Sequence, residues 1–473
     1  MRFLTLVFIL FSSLGAFGQS GRMTASRQTE TTSTSPVADL SVKQMFDEAN
    51  GYIRAKAANF DSKKIPFSER LFTQTKLEQR QLAAKYASLA TGRKDLAGDE
   101  LFYLGMLYWI AENLNGTVEY LSKFVATDGA HTVRRQTARS IIVVVLAKQK
   151  KLDDAETLLT EYLRTQPGKM TERSRMEGEI AKAYQAQKDF VKMAPHASAG
   201  YNASKALLKD ASSRARGLDE ILDAGTLLYE AFRDAGNTKS AEDALDDMRV
   251  TAAETESPSF YYYVVDQKIK YLIETGRKPL ALEFYETSLK TAEKDFSVRT
   301  AQSEVISRLK KREKQYKLLG DTAPELPSID QWFPGEQKTF ANLKGKVVLL
   351  DFWATWCGPC FEAFPSLIEW SQDFASDGFE ILGVTRYYGV INGLPTDNQN
   401  EINYLKNFRY RERLPYNLVV GKDQSGQILY GATALPTAVL IDRKGVIRYI
   451  ESGTSPTRLE QLRGTIIKLL SEK

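Results

Sequence analysis

Cysteine is almost absent from this chain: there are two in 473 residues, Cys357 and Cys360, separated only by Gly358 and Pro359. A loop that short staples nothing in a fold of this size, so the pair serves reactivity or metal binding. Histidine is equally scarce, and His131 and His196 both lie far from the cysteines in sequence. A zinc ion on the two thiols would lack its remaining ligands, and no metal site is expected. Both histidines read as surface or packing residues. Charge of one sign is lacking as well, since 64 basic and 59 acidic residues leave a net +5. That balance favours neither nucleic acid nor an anionic membrane surface as a partner. Beyond the first residues no apolar run approaches the length of about 20 that a transmembrane helix needs, so no integral membrane segment is expected after the leader.

What is present is ordinary globular material. A hydrophobic content of 43% with 26% charged residues permits a sizeable core, and the length implies two or three domains. At the start, Arg2 precedes the apolar run Phe3 to Phe11, then Ser12, Ser13 and small residues around Ala16. This is the pattern of a cleaved secretory signal, assigned here to residues 1–18. No cysteine follows it to carry a lipid. Residues 19–38 are Ser/Thr-rich without apolar period and read as a flexible linker. The expected location is periplasmic or otherwise extracytoplasmic.

From residue 39 to 319 the apolar spacing is helical almost throughout, with short Gly/Asn/Asp/Lys turns. Leu104, Gly105 and Tyr108 lead through a turn to Val118 and Phe124; Leu272 leads through Thr275 and Gly276 to Ala281 and Tyr285. Small residues at Thr117, Ala155, Ala241 and Ala281 open the second helix of each pair, at irregular intervals. This resembles a degenerate tetratricopeptide pattern, which implies an all-α helical-repeat domain able to hold partner proteins. A helical domain that only supports its neighbour is the alternative. The Tyr261–Tyr262–Tyr263 run reads as core packing. The run Lys310–Lys311–Arg312–Glu313–Lys314 reads as the solvated face of the last helix.

Gly, Pro and Asp cluster between Gly320 and Pro327, and the pattern then changes to alternating strands and helices. Strands are expected over 346–352, 379–385, 416–420, 437–442 and 446–450, and helices over 364–374, 401–408 and 458–470. The last two strands form a hairpin around Lys444–Gly445. Such alternation implies an α/β sheet with helices on both faces over 320–473.

The chemistry sits in Asp351–Phe352–Trp353–Ala354–Thr355–Trp356–Cys357–Gly358–Pro359–Cys360. A buried strand ends there and a helix begins, so Cys357 meets unpaired N–H groups and the positive end of the helix dipole, which lower a thiol's pKa. Cys360 follows one turn later, placed to attack a mixed disulfide at Cys357.

With the leader Ala323–Pro324–Glu325–Leu326 and the later Leu435–Pro436–Thr437, this stretch resembles the thioredoxin superfamily, in the layout of TlpA/ResA-like thiol–disulfide oxidoreductases of the redoxin type. The resemblance spans about 320–473 and implies a thioredoxin fold. It implies Cys357 as nucleophile, Cys360 as resolving cysteine and Asp351 as the buried acid that takes the proton of Cys360. It further implies that Pro365 kinks the active-site helix and that Pro436 is the cis-proline. Trp353 would pack behind the cysteines, and client contacts are implied at Trp356, Gly358, Pro359, Leu435 and Pro436. No cofactor beyond the dithiol is implied. The partners implied are disulfide-containing exported proteins and a membrane thiol reductant.

The cytochrome-maturation relatives carry an acidic residue three positions after the second cysteine, where this chain has Ala363 beside Glu362. Peroxidase relatives carry Pro and Thr seven and three positions before the reactive cysteine, where this chain has Leu350 and Ala354. The Gly358–Pro359 dipeptide between the cysteines resembles that of reducing thioredoxins, so a protein disulfide reductase is the leading expectation. A helical scaffold with an accessory redox domain and a thiol peroxidase stand behind it.

Overall fold

The computed structural model describes residues 40–472. The signal and linker read at 1–38 lie outside the described residues. Contacts divide the chain into two compact units, 1–244 and 245–473.

In the first unit the described helices are α1 (Val42–Ser62), α2 (Glu69–Thr91), α3 (Asp99–Ile110), α4 (Leu114–Val125), α5 (Thr132–Lys148), α6 (Leu152–Arg164), α7 (Met170–Gln187), α8 (Phe190–Leu208) and α9 (Arg214–Asp234). Helix α10 (Thr238–Glu254) carries the division. Neighbours in sequence pack on each other: α3 on α4, α5 on α6, α7 on α8. The sequence shows how such pairs close. Thr117 and Ala155 are fully buried in the second helix of their pairs. Gly105 lets α4 approach so closely that a Cβ there would lie 2.5 Å from Leu121 Cδ2.

The second unit begins with helices as well: α11 (Pro258–Glu274), α12 (Lys278–Asp295) and α13 (Arg299–Leu318). The change from helix to sheet comes near residue 320, but the last three helices belong by contact with the sheet. Tyr261 is fully buried, with its hydroxyl on Asp295 at 2.6 Å.

The main sheet contains β1 (Ile329–Phe333), β2 (Val347–Phe352), β3 (Phe379–Arg386), β6 (Asn417–Gly421), β7 (Thr437–Ile441) and β8 (Ile447–Ser452), with a small hairpin of β4 (Val390–Ile391) and β5 (Leu394–Pro395) set apart. Its order is β1-β6-β3-β2-β7-β8; β2, β3 and β6 run parallel, β1 and β7 run antiparallel to them, and β8 runs antiparallel to β7. Central β2 is buried along its whole length, which accounts for its unbroken apolar run. Helices α14 (Gly358–Asp373), α15 (Asn398–Arg411) and α17 (Pro456–Ser471) send Leu367, Leu405 and Leu462 into the core with Leu349 and Leu418 on one face. On the other, Phe352 meets Tyr430 of α16 (Ser425–Tyr430) at 5.6 Å between ring centres. Among the described residues no helix is long and apolar enough to cross a membrane.

One expectation fails in α13. Arg312 is not solvated but 7% exposed. Its Nη2 lies 3.1 Å from Glu451 of β8, its Nε lies 3.4 Å from Asp266 of α11, and both Nη atoms donate to Ile450 O at 3.2 Å. Lys270 completes the cluster, 2.6 Å from Asp266 and paired with Glu451. Two cations and two carboxylates thus balance each other away from water. Burial alone would raise the Asp266 pKa, but Lys270 and Arg312 outweigh it and hold the group below the usual carboxylate range. The run of charges around Arg312 disguised it, because its partners lie on other elements.

Beyond α13 the chain turns along β8. Gly320 N donates to Ile447 O at 2.9 Å, Ile447 N to Asp321 O at 2.9 Å, and Ala323 N to Gly445 O at 2.9 Å. The border of the sheet is therefore covered by residues 312–323, which satisfy backbone groups that an edge strand leaves open.

Candidate redox site

The site forms where β2 gives way to α14. Cys357 is the N-cap of α14, Pro359 sits in its first turn, and Pro365 lies inside the helix. Cys360, Ala363, Phe364, Leu367 and Trp370 recur at helical spacing and form its buried face. Cys357 and Cys360 form a disulfide, and their residues are 4% and 1% exposed.

Asp351 lies beneath that face. It shares a side of β2 with Leu349, and cross-strand register continues the row through Ala438 of β7 to Glu451 of β8. Asp351, Ala363, Leu367, Pro436 and Glu451 border one cavity of about 30 Å³. Among the described residues the Asp351 carboxyl makes no hydrogen bond or ion pair, and burial pushes its pKa up to about 7 from an ordinary 3.8. The Tyr416 hydroxyl is likewise buried without a partner, and burial and the nearby Asp351 charge both oppose its ionisation.

The Leu435–Pro436 bond is cis. Leu435 packs against the cluster that holds both cysteines, and Thr437 stands opposite Phe352 in the ladder. Trp353 is fully buried, stacked on Phe408 at 5.1 Å and edge-on to Phe364 at 5.5 Å. Trp356 is 61% exposed and leans edge-on against Tyr388 at 5.3 Å. Gly358 and Pro359 lie between the cysteines in the exposed first turn.

Sequence reasoning missed Tyr388 and what holds it. Arg386 lies 4.1 Å from its ring centre, Gln427 donates to its hydroxyl at 3.0 Å, and Glu401 accepts its N–H at 2.9 Å. The one available signal was a Tyr–Tyr pair directly after a strand. No group of three or more potential metal ligands occurs among the described residues.

A family model described as Redoxin matches residues 318–466. Thiol-disulfide oxidoreductase ResA of Geobacillus thermodenitrificans is 33% identical over 144 residues, which cover 30% of this chain and 74% of that protein. The ResA of Bacillus anthracis is 30% identical over 157 residues, covering 33% and 82%. Among solved structures, the thioredoxin domain of a thiol-disulfide oxidoreductase from Bacteroides vulgatus is 24% identical and covers 32% of this chain and 98% of its own, with a TM-score of 0.26. With the dithiol at the head of α14 and this kinship over the same residues, the C-terminal domain is a thiol–disulfide oxidoreductase and the chain belongs to the redoxin family.

Proposed function

We propose that this protein is an exported protein disulfide reductase. The observation that carries the reading is the stacking of three groups: Cys357 at the helix cap, Cys360 one turn in, and Asp351 under the same face with a pKa near neutrality. In the reduced form the Cys357 thiolate attacks a client disulfide, forming a mixed disulfide and releasing one client thiolate. Asp351 takes the proton of Cys360, whose sulfur then attacks Cys357 Sγ and releases the second client thiol. Two electrons pass to the client, and the pair is left as the disulfide. A membrane-bound dithiol donor would restore it. Export rests on the leader pattern at 1–18, and the reducing direction on the Gly–Pro dipeptide. The helical region is assigned a part in recruiting clients.

Trapping tests this directly. The Cys360→Ser variant should accumulate mixed disulfides through Cys357 that dithiothreitol releases. If Cys360→Ser and Cys357→Ser trap equally little, the two-step exchange is wrong. A reduction potential near about −270 mV supports the reducing direction, whereas one near about −120 mV reverses it.

A further inference from the structure

We propose that Gln315 and Arg312 of α13 are positioning residues for the oxidoreductase: they hold the loop 431–437, and with it the Leu435–Pro436 backbone, where a client chain must pair. The inference rests on the reading above that clients dock on that backbone.

Gln315 and Arg312 reach two places on the sheet domain. Gln315 Nε2 donates to Gly431 O at 3.0 Å, where the chain leaves α16 with a φ of +65° and enters the loop. Gln315 is itself 3% exposed and is oriented by Arg312 Nη1, which donates to its side-chain oxygen. Arg312 also anchors Ile450 O, two residues before Ser452.

From β8 the linkage continues into the loop. Ser452 Oγ and Thr437 Oγ1 share a hydrogen bond of 2.7 Å, Thr437 Oγ1 donates to Ala434 O at 2.6 Å, and Gly453 N donates to Pro436 O at 2.7 Å. The carbonyls of residues 431, 434 and 436 are thereby each tied down, the first by α13 and the others through β8, which α13 holds. A loop pinned at three of its carbonyls presents its remaining backbone groups with little freedom left to lose on binding.

That geometry separates two reactions. A protein disulfide uses the loop backbone, while a small aromatic disulfide reaches Cys357 without it. In the full-length chain, Gln315→Met removes the amide donor and keeps the side-chain size. It should raise KM for insulin reduction about five-fold, the effect of losing the hydrogen bond to Gly431 O, with kcat little changed. The rate of the reduced protein with 5,5′-dithiobis(2-nitrobenzoate) and the reduction potential should both stay at wild-type values. Ser452→Ala should reproduce the KM effect, and Ser452→Thr, which keeps the hydroxyl, should restore it.

The inference is overturned if insulin KM is unchanged in both Gln315→Met and Ser452→Ala. It is equally overturned if insulin and small-disulfide rates fall together with the melting temperature, since α13 would then be a general support. A wild-type chain inert towards both disulfides would instead remove the reductase reading, and the inference with it.

Discussion

Asp351 carries the sharpest consequence of a single side chain. An acid whose pKa is higher folded than unfolded holds its proton more tightly in the folded state, so stability falls as pH rises from about 4 to about 7. A carboxyl moved from 3.8 to about 7 by burial forfeits ~4 kcal/mol across that window. Urea unfolding of the oxidised protein at pH 5 and pH 8 should therefore show a fall in wild type that Asp351→Asn lacks. Parallel falls in the two proteins would show that another group titrates. The same substitution should slow release of client from the mixed disulfide about 100-fold or more at neutral pH, measured by quenched-flow trapping. The position of this acid was legible only through the family resemblance of the stretch around the cysteines, in which Asp351 stands six residues before Cys357. Arg312 was not legible: its burial depends on Asp266 and Glu451, which come from two other elements.

Pairs of elements make their own demands. An alanine at Gly105 in α3 would gain about 1 kcal/mol in helix propensity but meet the Leu121 side chain at 2.5 Å and its backbone N at 3.1 Å. Overpacking of that kind costs about 1–3 kcal/mol, so Gly105→Ala should lower the thermal midpoint where an exposed helical glycine would raise it. The strand and helix beside the cysteines were readable from short-range pattern, because a fully buried β2 and a one-sided α14 print their burial directly on the sequence. β1 and the β4–β5 hairpin did not, since the former is only half-buried and the latter has two residues in each arm. At the join of α11, α13 and β8, Arg312→Ala leaves Asp266 and Glu451 facing Lys270 alone. Removing one partner of a buried charge cluster costs about 3–5 kcal/mol, which chemical denaturation of the full chain would register.

For the whole molecule, the contact boundary at 244/245 and the helix-to-sheet change near 320 make different demands on a fragment. Residues 245–473 should fold with a higher denaturant midpoint than residues 320–473, because the shorter piece loses Arg312, Gln315 and Lys270. Equal midpoints would show that the redox domain needs none of them. The change of pattern near 320 was visible in composition and periodicity. That the preceding helices fall in one compact unit with the sheet was not, because nothing local records which neighbour a helix chooses. The covered border of β8 bears also on how copies of this protein can meet. A sheet with two bare margins can lengthen without limit, chain upon chain. Here, among the described residues, one margin of the main sheet is occupied by the protein's own residues 312–323 and β1 forms the other, so two molecules joined through β1 would use up the remaining margin of each sheet and stop at a closed pair.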